Sequence, residues 1–295
     1  MNFDAGPQLL VNGLIDGSLY ALAAISFGLI FSTTKMFHFA HAISFVVGAY
    51  AAVVLAGPLP LALATVVGMI VAGLFGVLVE ISIYRNLRRR HAGVLQIFLA
   101  ALGVLAVGEA LIWIGWGPGA QRIQGVPTEQ FSWGPVGFTM VDVIVIAVSW
   151  VAVLLVLYVL HSTRVGIMVR GVAANPRLSS VVGVDPQHIF IGVFFVGSAL
   201  AGLSGVLFAV GDVATPTMGL NLVLAAAIGV FIGGIGSIPG AALGGLTLGL
   251  AESIGGLFLP GYLNSIVAFG LLFAVLIFKP SGFFGRRLTL SGRGV

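Results

Sequence analysis

His38 and His41 stand three residues apart in Lys35-Met36-Phe37-His38-Phe39-Ala40-His41. That spacing places two imidazoles on one helix face, where they can share a metal ion. A metal site needs a third ligand, and none is evident, so no metal is expected. The other expectation is that these histidines hydrogen-bond neighbouring helices near a turn, or line a polar pathway. Glu80, Glu109 and Glu252 are the next chemical groups, each inside an apolar run. Facing lipid, each would cost at least about 2–3 kcal/mol, so each is expected to face the bundle, a cavity or a helix end. Glu109 is the deepest of them. A proton relay would need a chain of partners that the sequence does not display, and structural pairing is the expectation for all three.

Other chemistries are missing. There is no cysteine, hence no disulfide, thiolate metal site or Cys nucleophile. No glycine precedes a lysine, so the phosphate-cradling G-x-x-x-x-G-K-[ST] loop is absent, as are H-E-x-x-H and G-x-S-x-G. Gly115, Gly117 and Gly119 form only a glycine-rich run, without the strand-to-helix setting that a dinucleotide fingerprint needs. An intramembrane enzyme therefore lacks an assembled set of reacting groups.

The elements that must hold these residues follow from composition. Of 295 residues 59% are hydrophobic and 7% charged, and the mean hydropathy is +1.16. A soluble domain carries about a quarter charged residues. The solvent of this chain is lipid, and residues 1–295 read as one all-α polytopic membrane domain. The 43 glycines are spread through the apolar runs, where small residues let helices approach closely. Runs long enough to cross about 30 Å of hydrocarbon are 8–33, 40–56, 61–84, 94–116, 139–161, 189–210, 221–236, 241–259 and 264–278. That makes about nine spans, within a range of eight to ten. The second and seventh are short enough to be broken or re-entrant. Met1–Gly6 carries Asp4 and no basic residue, so the first run is expected to be a retained span and not a signal peptide.

With nine spans and the N-terminus outside, Lys35, Arg85, Arg88, Arg89, Arg90, Arg164, Arg170, Arg177, Lys279, Arg286, Arg287 and Arg293 face the cytoplasm, and Arg122 alone faces out. Cytoplasmic loops carry the excess of basic residues, so the expected orientation is N-out and C-in. The net charge of +4 is thereby a matter of topology, and no nucleic-acid partner is implied. Gly117–Phe138 is the long external loop, whose Trp133 is either an interfacial aromatic or part of a docking surface.

Residues 162–188 form the most informative polar stretch. Asn175-Pro176 reads as a helix cap followed by proline at the first helical position, and Gly183 suits the residue that ends the helix. A short helix over 176–182 is predicted, and Asp185-Pro186 repeats the signal at the start of the next span. Such a helix is either a connector or a contact surface for a cytoplasmic partner. Further on, Ala241, Gly245, Gly249 and Ser253 recur every four residues as a packing stripe. Before them, Gly233–Gly240 interrupts the apolar run. The interruption at Lys35–His41 lies in the first half and this one in the second, and paired breaks point to a transporter's central pathway.

Several of these stretches resemble the permease subunits of bacterial ABC importers for branched-chain amino acids. Asn12-Gly13-Leu14-Ile15-Asp16-Gly17-Ser18-Leu19-Tyr20-Ala21-Leu22 is the first. His38-Phe39-Ala40-His41 is similar to an Asn-Phe-Ala-His-Gly motif, altered at its first and last positions. Gly166 through Arg170, Asn175 and Val182-Gly183-Val184 follow, then Gly233–Gly240 and Gly244–Glu252. The resemblance spans the chain in the right order. It implies a membrane pathway paired with a second, related permease or a second copy of this chain. It also implies two cytoplasmic ATPases that bind ATP and Mg, an extracytoplasmic solute-binding protein, and a bacterial inner-membrane location. On that basis Arg170, Asn175, Pro176, Arg177, Leu178, Val182 and Gly183 are ATPase-coupling candidates. The pathway candidates are Asn12, His38, Phe39, His41, Asn221, Gly233, Gly234 and Gly236. The implied solute is a branched-chain amino acid or a related small polar or amphipathic molecule, since close relatives carry urea or short amides. A stand-alone secondary transporter is the alternative, with Glu109 as its one deep ion-site candidate.

Overall fold

Apolar runs that must satisfy their own backbone in lipid fold as helices, and each of the nine does so. The computed structural model describes residues 6–259 and 263–285. Helix α1 spans Gly6–Thr34 and α2 His41–Leu55; α3, Leu61–Val79, runs on without a gap through a π-turn at Glu80–Tyr84 into α4, Arg85–Arg89. Then come α5 (Val94–Trp116), strands β1 (Gln130–Trp133) and β2 (Val136–Thr139), α6 (Met140–Ser162), α7 (Arg164–Ala174) and α8 (Pro176–Val181). The chain continues as α9 (Pro186–Gly211), α10 (Met218–Gly233), α11 (Ile238–Gly255) and α12 (Asn264–Phe278).

Five rods of 23–29 residues are long and apolar enough to span: α1, the α3–α4 rod Leu61–Arg89, α5, α6 and α9. Helices α10 and α11 meet at a bend of 116° across the Gly233–Ile238 break. Helices α2 and α12 have 15 residues each, about 22 Å at 1.5 Å per residue. The chain is thus a multi-pass helical membrane protein with broken segments.

Two levels of contacts tie the helix ends. At one, the Gln8 amide donates to Gly137 O at 3.0 Å and accepts from Gly137 N at 2.8 Å. Ser253 Oγ donates to Leu9 O at 2.6 Å, and Gln121 pairs with Ala214. At the other, Arg88 reaches Met36 Sδ, Phe37 stacks on Phe231, and Phe283 N donates to Ile232 O at 2.9 Å. Helices α1 and α9 are largely buried, whereas α5, α6 and α12 expose Leu99, Ile114, Leu154, Leu155, Phe273 and Ile277 to the lipid side.

The stripe Ala241, Gly245, Gly249, Ser253 packs within the chain, against α1. A Cβ on Gly249 would fall 2.2 Å from Gly17 N, and one on Gly245 2.5 Å from Tyr20 C and O. Only hydrogen fits there. A second crossing of this kind joins α2 to α9, where a Cβ on Gly48 would lie 2.4 Å from Gly202 Cα. These bare crossings let backbones touch and gain dispersion contact where lipid gives helices no hydrophobic reason to associate.

The polar segment before α9 differs from expectation in one respect. It holds two helices, not one. Thr163 caps α7 by accepting from Gly166 N at 3.2 Å. Asn175 caps α8 by accepting from Leu178 N at 3.1 Å. Gly183, at φ 87°, follows the end of α8, and Asp185 caps α9 through Gln187 N at 2.9 Å. The long loop also contains an antiparallel hairpin, β1–β2, in which Gln130 pairs with Thr139.

Candidate translocation and docking site

Lys35 ends α1 in the left-handed region at φ 58°, a conformation uncommon for a side-chain-bearing residue. The five residues that follow turn the chain into α2. His41, at the start of α2, is fully buried, and its Nε2 lies 3.0 Å from Ser26 Oγ of α1. Ser26 already donates its hydroxyl proton to Ala23 O at 2.7 Å. It therefore accepts from His41, whose ring carries the proton on Nε2. His38 Nδ1 lies 2.8 Å from the Tyr84 hydroxyl, and the two imidazole centroids are 5.4 Å apart. His38 Nε2 and His41 Nδ1 have no hydrogen-bond partner among the described residues. Among the described residues no group of three or more His, Cys, Asp or Glu assembles for a metal.

Tyr84 belongs to the π-turn. There Arg85 N–H bonds Glu80 O, five residues back. Glu80 is completely buried and pairs with Arg88. Its carboxylate also accepts from Gln187 Nε2 at 3.2 Å, in the first turn of α9. Arg88 lies over the Phe190 ring at 4.8 Å.

The second break meets the first through aromatic rings. Phe37 stacks on Phe231 at 5.7 Å, and Phe31 meets Phe231 edge-on at 6.5 Å. Phe39, half-buried, stacks on Phe37 at 5.8 Å and meets Phe98 of α5 edge-on at 5.5 Å. Gly233 and Gly234 are buried, Gly234 at φ 111°, while Gly236 is exposed at φ 86°. Residues 279–285 lie across this break as a strap. Phe283 and Phe284 donate to Ile232 O and Gly233 O at 2.9 and 2.8 Å, and Lys279 Nζ donates to Phe283 O at 3.1 Å. A cavity of about 490 Å³ opens beside it, lined by Gly233, Gly244, Thr247, Lys279 and Phe283 among others.

Not every pathway candidate joins these breaks. Asn12 is exposed near the opposite end of α1, accepting from Gln8 Nε2 at 2.8 Å. It is 22 residues from Thr34, about 33 Å along the helix. Asn221 is exposed in the first turns of α10, two residues after Gly219, which packs on the Ala42 backbone. Two further groups were not picked out as pathway residues from the sequence. Asp16, exposed, follows Asn12 by one helical turn, so Gln8, Asn12 and Asp16 form one polar stripe on α1. Tyr20 extends it and faces Glu252 of α11. The signal was the four-residue spacing, hidden among apolar neighbours. Glu109 sits half-buried on α5, the least enclosed of the long rods, and forms no hydrogen bond among the described residues.

In the polar segment before α9, Arg170, Asn175, Pro176, Arg177, Leu178, Val182 and Gly183 are all exposed, and they lie on α7, on α8 with its cap, and in the turn just after it. Leu178, Val181 and Val182 are 64%, 82% and 78% accessible.

Broken apolar helices around buried polar groups, with a capped helix standing outside the bundle, define the class: a membrane permease. The fold resembles that of PsaBC from Streptococcus pneumoniae in complex with Fab, with a TM-score of 0.53, 18% identity, and coverage of 96% of this chain and 95% of that one. The chain belongs to the family described as branched-chain amino acid transport system / permease component, whose profile matches residues 9–276. Its relatives include the high-affinity branched-chain amino acid transport system permease protein BraD of Pseudomonas aeruginosa, 30% identical over 95% of both chains. LivH of Escherichia coli, described in the same words, is 29% identical over 95% of both. A probable branched-chain amino acid transport permease protein LivH from Methanocaldococcus jannaschii is 25% identical over 96% of this chain and 94% of that one.

Proposed function

We propose that this chain forms one half of the membrane pathway of an ATP-driven importer for a branched-chain amino acid or a related small amphipathic solute. The observation that carries the docking half of this reading is α8. It is a six-residue helix with its own cap, and it holds Leu178 and Val181 largely bare in a polar segment. Apolar side chains held out in this way mark a surface that a partner covers. The partner is a cytoplasmic ATPase that supplies the phosphate-binding loop, ATP and Mg, none of which this chain is equipped to hold.

The same reading puts the N-terminus outside, residues 162–188 and the strap inside, and nine helices across the bilayer. Solute released by a binding protein enters along the Gln8–Asn12–Asp16 stripe, at the seam with a second permease. It leaves past the two breaks, where Phe37 and Phe231 close the inner end. ATP binding shifts the assembly between its two states to the extent that its contacts differ between them.

Reconstitution with binding protein, second permease and ATPases in liposomes tests this. Labelled leucine, isoleucine or valine should accumulate only with ATP. Uptake by the purified chain alone, driven by a proton or sodium gradient, would overturn the proposal.

A further inference from the structure

Glu80 and Arg88 are eight residues apart on one rod. In an unbroken α-helix that spacing turns them about 80° away from each other. The π-turn between them absorbs one extra residue. Their offset then approaches that of residues seven apart, about 20° short of two full turns, and the two side chains meet. The Glu80–Arg88 pair therefore depends on the π-turn. Tyr84, midway between them, is brought onto the same buried face.

Helix α9 presents a matching seam. Gln187 bonds Glu80, Phe190 lies under Arg88, and Phe194 packs against both Tyr84 and His38 at 5.6 and 5.1 Å. These three positions follow the spacing of one helix face. The seam begins six residues after α8 ends. Arg88 also touches Met36, and Tyr84 touches His38, so the far side of the same ladder is the first break. A fully buried carboxylate is tolerated only with its partners in place, which keeps the ladder and the start of α9 together.

We propose that Glu80, Arg88 and Gln187 are positioning residues. They form the joint that carries displacement of α8 into the Lys35–His41 break, and so couple the docking surface to the pathway. This rests on the reading of α8 as the ATPase-docking helix. Energetic coupling between two sites requires an element that both of them bias. The ladder touches the break directly through Met36 and His38, and it holds the first turn of α9, which follows α8 in the chain.

The test uses the full importer in liposomes, comparing wild type with Glu80→Gln, Gln187→Ala and Gln187→Lys. ATPase subunits retained, basal hydrolysis, KM for solute, and solute moved per ATP are measured together. Glu80→Gln and Gln187→Ala should keep subunit stoichiometry, basal hydrolysis and KM, and lower solute moved per ATP by about fivefold or more. Gln187→Lys, which still donates to Glu80, should keep coupling near wild type. A purely structural role would lower all readouts together with the amount of assembled complex. Gln187→Ala leaves the Glu80–Arg88 pair intact, so it reads the joint even where Glu80→Gln lowers accumulation. Unchanged solute per ATP in complexes carrying Gln187→Ala overturns the joint. A wild-type chain that retains no ATPase sinks the docking reading itself, before any variant is compared.

Discussion

At the scale of single residues, the protein relies on positions that admit one chemistry. Gly249 is such a position, because any Cβ collides with the α1 backbone at Gly17. Gly249→Val should reduce monodisperse protein in size-exclusion chromatography by about tenfold, since close helix contact is what associates helices in lipid. Thr247→Val, on the exposed side of the same helix, should leave the yield unchanged. His38 makes a different point. Replacing it with Phe leaves the buried Tyr84 hydroxyl without its partner, at a cost of about 1–3 kcal/mol. Adding Tyr84→Phe removes the orphan and should recover most of the lost thermal stability. No recovery in detergent melting curves would mean that the imidazole does more than satisfy the phenol.

At the scale of elements, α8 depends on its cap. Asn175→Ala removes the bond to Leu178 N and should cost about 1 kcal/mol. Titration of the ATPase onto the permease should then show roughly fivefold weaker association, and Leu178→Asp should abolish it. Helix α8 was readable from residues alone, because Asn175-Pro176 and Gly183 each act locally. So were the bounds of α5 and α12, which follow from apolar runs with abrupt polar or glycine ends. Helix α7 was not, because its Arg164 and Arg170 break up the apolar pattern that would have marked it. The π-turn left no trace in composition: Glu80-Ile81-Ser82-Ile83-Tyr84 is an ordinary helical run, and the extra residue is imposed by what Glu80 and Tyr84 must reach. Gly233, Gly234 and Gly236 announced an interruption, but its 116° bend is set by the strap and by α11 packing on α1. Of the candidate site, the two breaks could be read and their meeting through Phe37 and Phe231 could not. Nothing in sequence spacing relates residues so far apart in the chain.

At the scale of the whole molecule, the helix ends sort into two levels, and the proposed orientation assigns one to each side of the membrane. The chain contains no cysteine, so single cysteines report position without background. Trp133→Cys should react with an impermeant maleimide in intact cells, and Arg177→Cys only after the membrane is opened. The reverse pattern would invert the topology.

The strap over the second break carries a consequence for how the protein is made. Ile232 and Gly233 end α10 with carbonyls that α11 does not satisfy, and the donors they find are Phe283 and Phe284. Phe283 is fifty residues after Gly233, so that helix waits, with its end unfinished, through the synthesis of two more apolar segments. The end of the bundle that holds the two breaks therefore gains its strap late in biosynthesis, after α12 has been made. A ribosome that stalls before residue 283 holds a bundle that is largely inserted and not yet closed.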